Sequence, residues 1–199
     1  MRTRPVASLI VAGCLILLAS CGDDSDAGQS SGSNQSSSSS VVSPIPPVQN
    51  PRDVAAMADR TCELLTAQQV EGFGLDLSPL QSDGLFGTVD CEWRTTTSDR
   101  RVVKRLFVSV FTNNPTLEVV YNRRDGFASF ELTTVGEYPA TVTRSNADLP
   151  VCSVDIKAAE RQSVTVTYRS DEFDNDPQQA CVVGKQVAEA VLMNLPPKA

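Results

Sequence analysis

The sequence predicts an α+β fold: an antiparallel sheet packed by helices on one side and cross-linked by two disulfides. Three observations carry this expectation. Residues 151–158 alternate, with Cys152, Val154, Ile156 and Ala158 against Ser153, Asp155 and Lys157, and residues 164–168 repeat the pattern with Val164, Val166 and Tyr168. Such alternation marks strands with one buried face, and the short turn between them makes a hairpin. Near the end, Cys181, Gly184, Ala188, Val191, Leu192 and Leu195 form an apolar stripe at helical spacing. Third, strands follow one another and are only occasionally broken by a helix, which is the antiparallel pattern rather than the parallel one.

Taken from the start, residues 1–20 read as a signal peptide. Arg2 and Arg4 precede an apolar run, Val6 to Leu18, which ends at small residues. The run is shorter than the roughly 20 residues of a membrane span. Leu18-Ala19-Ser20-Cys21 resembles the bacterial lipobox. That resemblance implies a diacylglyceryl group on Cys21, cleavage before it, and palmitate-class acyl chains. Two chains anchor stably where one binds reversibly. Residues 21–50 carry the lipidated Cys21 and a Ser- and Pro-rich stretch, with Ser36 to Ser40 and then Pro44, Pro46 and Pro47. Apolar content there is too low to offset the entropy of ordering, so a disordered tether is expected. Its span is on the order of 30 Å.

Residues 51–199 make one domain. Pro51, Asp53 and the run Val54 to Met57 start a helix. Thr66 and Gln69 form a capping box for a short second helix, stopped by Gly72 and Gly74. Residues 75–87 read as a long apolar loop. Residues 89–95 form a strand with Cys91 and Trp93 on one face, and residues 102–111 form its hairpin partner with Leu106, Val108 and Val110 inward. Asn114 caps a helix opened by Pro115, with Leu117, Val120 and Tyr121 on one face and Gly126 as the stop. Residues 130–135 and 140–144 are strands around a break at Gly136 and Pro139. Asp176-Pro177, with Gln179, opens the last helix, and Pro196 and Pro197 end it.

There are six cysteines. Cys14 leaves with the leader and Cys21 is lipidated, so Cys62, Cys91, Cys152 and Cys181 remain to form disulfides in an exported protein. Of the possible pairings, Cys62–Cys91 and Cys152–Cys181 is preferred, because each spans a similar stretch and links a helix to a strand. A four-thiolate metal site is disfavoured by the lack of any Cys-x-x-Cys pair.

Net charge is −7 and there is no histidine. The acidic balance gives no electrostatic reason to bind nucleic acid or anionic lipid. The missing imidazole removes Ser-His-Asp and Cys-His catalysis and His-ligated zinc. No phosphate-binding loop, dinucleotide fingerprint or Gly-x-Ser-x-Gly elbow is present. No catalytic residue, cofactor or metal is expected.

The candidate contact surface is the apolar loop, through Leu75, Leu77, Leu80, Leu85 and Phe86; packing on the core as a lid is the alternative. The acidic run Asp171 to Asp176 lacks the calcium-loop pattern and reads as a solvated loop with a helix cap. Arg100, Arg101, Lys104 and Arg105 form a basic patch, read as a hairpin end and as protection of an edge strand by charge, with binding of an anionic headgroup or glycan as the alternative.

Cys62-Glu63-Leu64-Leu65-Thr66, Cys91-Glu92-Trp93, Gly136 with Ala140, and Cys152 ahead of an alternating strand resemble the actinobacterial lipoproteins grouped as domain of unknown function 3558. The resemblance covers the leader and residues 53–195. It implies a cell-envelope lipoprotein on the extracytoplasmic face of the cell membrane, with a PsbP-like fold by weaker analogy, and it brings no activity or catalytic residue. Three functions follow in order of expectation. The first is a membrane-tethered binding or accessory module, not an enzyme, with an envelope protein as partner. The second is a carrier of a small apolar or lipid ligand. The third is a carboxylate-based envelope hydrolase, which needs two facing acidic groups.

Overall fold

The alternating runs become β1 (Leu80–Asp83), β2 (Val89–Thr96), β3 (Val102–Phe111), β4 (Ser129–Val135), β5 (Tyr138–Arg144), β6 (Val151–Ala159) and β7 (Gln162–Ser170). In the computed structural model, which describes residues 44–84 and 88–198, they form one sheet in the order β1-β2-β3-β7-β6-β5-β4. Every pairing is antiparallel. Two meanders, β1-β2-β3 and β4-β5-β6-β7, therefore meet along β3 and β7.

Register gathers the large side chains on one face. Trp93, Leu106, Tyr168 and Cys152 face one another across four strands, as do Cys91, Val108, Val166 and Val154 in the next row. All eight are buried. On this face α3 (Gln179–Asn194) packs against β6 and β7, and a 3-10 helical stretch, Ala55–Leu64, kinked at Arg60, packs against β2 and β3. At Gly184 α3 faces the sheet: a β-carbon there would sit 3.4 Å from Val154 Cγ2, in van der Waals contact. The disulfides are Cys62–Cys91 and Cys152–Cys181, each joining a helical segment to a strand.

The opposite face carries hydroxyls, from Ser109, Thr165, Thr167, Ser153, Thr141 and Thr143. Here α2 (Thr116–Asn122) lies over β5 to β7: Ser163 donates to Thr116 Oγ1 at 2.8 Å and Lys157 pairs with Glu118 at 2.8 Å. Leu117 is buried beneath it.

Local signals held where the side chain itself does the capping. In α1 (Ala67–Gly72) the Gln69 N–H donates to Thr66 Oγ1 at 3.2 Å and the Thr66 N–H to Gln69 Oε1 at 2.8 Å. The helix expected to open at Pro51 starts instead at Ala55, so Asp53 lies ahead of its first turn, where it accepts from the Ala56 N–H at 3.2 Å. Elsewhere the expected caps shift. Helix α2 starts at Thr116, with Pro115 rather than Asn114 in the cap position, and the Asn114 N–H is drawn instead to the Arg161 carbonyl at 2.8 Å. Helix α3 starts at Gln179, and Asp176 receives the Gln179 side chain at 3.3 Å rather than a helix N–H. The stretch read as one long loop contains β1, which pairs with β2 from Leu80↔Glu92 to Asp83↔Val89. Its four residues are all exposed, so it lacks the one-sided burial that makes a strand visible in sequence.

Candidate functional site: a groove beside an edge strand

The helical layer is centred on β6 and β7 and leaves β4 at the margin. Strand β4 pairs with β5 along its whole length without a bulge, and no described strand lies on its other side. Gly136, at φ +56°, turns the chain tightly between them. Between β4 and α3 runs an open groove. One side is the α3 row Val182, Lys185, Glu189 and Met193, spaced three and four apart, with Val182 46% and Met193 68% exposed.

Two cavities mark the groove. The first, about 360 Å³, is lined by Phe130, Glu131, Val142, Cys181, Val182 and Lys185 among others. The Cys152–Cys181 disulfide thus forms part of its wall. The second, about 340 Å³, is lined by Arg52, Val135, Tyr138, Glu189, Leu192 and Met193, with the Gly136 turn. Arg52 is fixed by donating from Nε to Tyr138 Oη at 2.9 Å and from Nη1 to the Leu195 carbonyl at 3.0 Å. The first cavity mixes Glu131 and Lys185 with apolar walls, and the second is mainly apolar. Tyr121 and Phe127 flank Phe130 on the far side of β4, with ring centroids 5.9 and 6.5 Å away.

The residues expected to form a contact surface do not stay together. Leu75 is 4% exposed and belongs to the core, because the chain after Gly74 turns inward. Leu77 and Leu80 are 49% and 53% exposed. Leu85, Phe86 and Cys21 lie outside the described residues. The basic patch does not guard an edge: β3 is paired with β2 on one side and β7 on the other, so it is an interior strand. The groove was missed because no local pattern states which strand ends a sheet.

Three carboxylates are buried on the hydroxyl face or its margin. Asp155 accepts from Thr165 Oγ1 at 2.6 Å and from Thr141 Oγ1 at 3.4 Å, and burial pushes its carboxyl above the usual range. Glu92 is held below the usual range by Arg94, with Arg105 adding to it against the desolvation. Asp90 is separated from Asp155 by Ser109 and Thr165 in a single cross-strand row. Three strand spacings place the two backbones about 14 Å apart. None of the three lines either cavity of the groove. Among the described residues no group of three or more Cys, Asp or Glu side chains is placed to hold a metal ion, and no helix is long and apolar enough to cross a membrane.

The family described as "Protein of unknown function (DUF3558)" aligns with residues 16–194. No curated protein and no solved structure matches the chain.

Proposed function

The chain belongs to the DUF3558 family of proteins of unknown function, and from that premise we propose that it is a lipid-anchored binding module of the actinobacterial cell envelope. It is held outside the cytoplasmic membrane through Cys21. The family match begins at residue 16, so it takes in Leu18 to Cys21 together with the domain. The observation that carries the binding role is the groove: an unbulged edge strand beside a helix row, with a cavity toward each end. An edge strand offers unpaired main-chain groups to an extended segment, and flanking cavities accept its side chains.

A small-ligand carrier is the second reading. It is favoured by the apolar lining of the cavity at Val135, Leu192 and Met193. The hydrolase reading gains no support from the groove, since none of the buried carboxylates Asp90, Glu92 and Asp155 lines either of its cavities.

The anchor is tested by Cys21→Ala, which abolishes palmitate incorporation and membrane retention; retention unchanged sinks it. The groove is tested by a photo-crosslinker at position 182 in intact membranes. A discrete adduct that Met193→Glu abolishes is the expected result. Labelling no different from that obtained at exposed position 77 refutes the assignment.

A further inference from the structure

Strand register places Arg94 directly opposite Arg105, and Arg105 directly opposite Arg169. Three guanidinium side chains thus stand side by side on neighbouring strands, on the hydroxyl-bearing face. Like charges directly opposite one another destabilise a sheet. Arg105 and Arg169 each have a strand partner on both sides, so these two cations are not there to keep an edge from pairing.

Their carboxylate partners are too few. Glu92 alone serves two arginines: Arg94 donates to it bidentately, at 2.6 and 2.5 Å, and Arg105 through Nε. Asp171 alone serves two more, Arg169 at 3.0 Å and Arg101 at 3.7 Å. Four guanidinium groups therefore share two carboxylates, a local excess of positive charge on a chain whose net charge is −7. Lys104, by contrast, is matched one to one by Glu172 at 3.1 Å. The four arginine side chains are 37%, 48%, 51% and 68% exposed for Arg94, Arg105, Arg169 and Arg101. Arg105 spends only Nε on Glu92. Among the described residues its two terminal nitrogens make no bond, and they present a free fork to solvent.

We propose that this arginine rung is a binding site for phosphodiester anions. The planar guanidinium matches two phosphate oxygens at once, and a row of three suits successive charges on a chain or on clustered headgroups. Its position fits such a role. Val151, opposite Arg169, and Ala158, whose carbonyl accepts the Arg52 N–H, lie at opposite ends of β6. Seven residues of strand separate them by about 23 Å. The rung is thus at the far end of the sheet from residues 51–53, where the chain enters the domain.

The test uses the full chain at about 0.1 M salt, where long-range attraction is largely screened, in detergent for the soluble arm and without detergent for the vesicle arm. One arm titrates it with soluble poly(glycerol phosphate); the other with vesicles of phosphatidylglycerol in phosphatidylcholine. Saturable binding is expected, weakened about tenfold or more by Arg169→Gln and unchanged by Arg123→Gln. Glu92→Gln, which removes the competing carboxylate, tightens it. Binding in the soluble arm identifies a polymer as the source of the phosphodiester, and Arg169-dependent binding in the vesicle arm alone identifies headgroups. Arg169→Gln also leaves the melting temperature unchanged or higher, since it relieves a like-charge pair. The inference is overturned by no binding in either arm, or by equal losses in the Arg169 and Arg123 variants.

Discussion

Replacing Cys152 and Cys181 together by alanine removes one covalent link between α3 and the sheet. The bond joins residues 29 apart in sequence, with Cα atoms 5.0 Å apart. Without it the unfolded chain recovers the freedom of a loop of about 30 residues, which the chain-entropy model puts near 3.6 kcal/mol at 25 °C. Cys152 is fully buried and Cys181 nearly so. Alanine leaves a small void there, adding on the order of 1 kcal/mol. The Cys62–Cys91 bond has the same separation, 29 residues. Its removal is therefore expected to cost a similar amount, lowered slightly because Cys62 is only partly buried. Urea unfolding followed by fluorescence of the single tryptophan, Trp93, measures both. The midpoint falls and the slope rises, because the unlinked unfolded chain exposes more surface. A loss below about 1 kcal/mol for either pair, or a difference above about 2 kcal/mol between them, would refute the reasoning from loop length.

Three further outcomes follow from the packing. Gly184→Ala is expected to raise stability by about 1 kcal/mol, because helix propensity improves and a β-carbon 3.4 Å from Val154 Cγ2 is tolerated; a lower denaturation midpoint would mean that α3 sits closer to the sheet. Asp155→Asn is expected to stabilise the fold at pH 7. A carboxyl whose pKa is raised by folding contributes most below its unfolded pKa of about 4 and loses that contribution as pH rises toward the folded value, so the advantage over wild type should vanish in melting curves near pH 3. Thr66→Ala removes the side-chain half of the α1 capping box and costs about 1 kcal/mol, read as a lower urea midpoint; an unchanged midpoint would place the control of α1 in the Asn194 side chain, which donates to Gln69 Oε1 at 2.8 Å.

How much of this was legible in the sequence depended on range. The β6–β7 hairpin was visible because burial on one face imposes strict alternation on Cys152, Val154, Ile156, Val164 and Val166. The disulfide pairing followed from equal spacing and from each bond joining helix to strand. Strand β1 was not visible because none of its residues is buried. The Asp176 cap gave way to a local competitor, the Gln179 side-chain amide that it accepts from, while α2 begins at Thr116, one residue too late for Asn114 to cap it. The groove and the arginine rung depend on strand order, on β7 inserting between β3 and β6, and no window of a dozen residues contains that information. The charge patch at 100–105 was noticed, but its meaning changed once β3 proved interior.

The sheet order has one more consequence. Neither cross-link crosses the line where the two meanders meet: Cys62–Cys91 lies wholly in the first half, and Cys152–Cys181 wholly in the second. Across that line the halves are joined by eight facing residue pairs of β3 and β7, by the Arg101–Asp171 and Lys104–Glu172 ion pairs and by the Asn194 side chain, which donates to the Leu64 carbonyl and to Gln69 Oε1. Each half can therefore complete its own oxidation before the two dock, in either sequence. Once docked, the two stapled halves are held to each other across that line by non-covalent contacts alone.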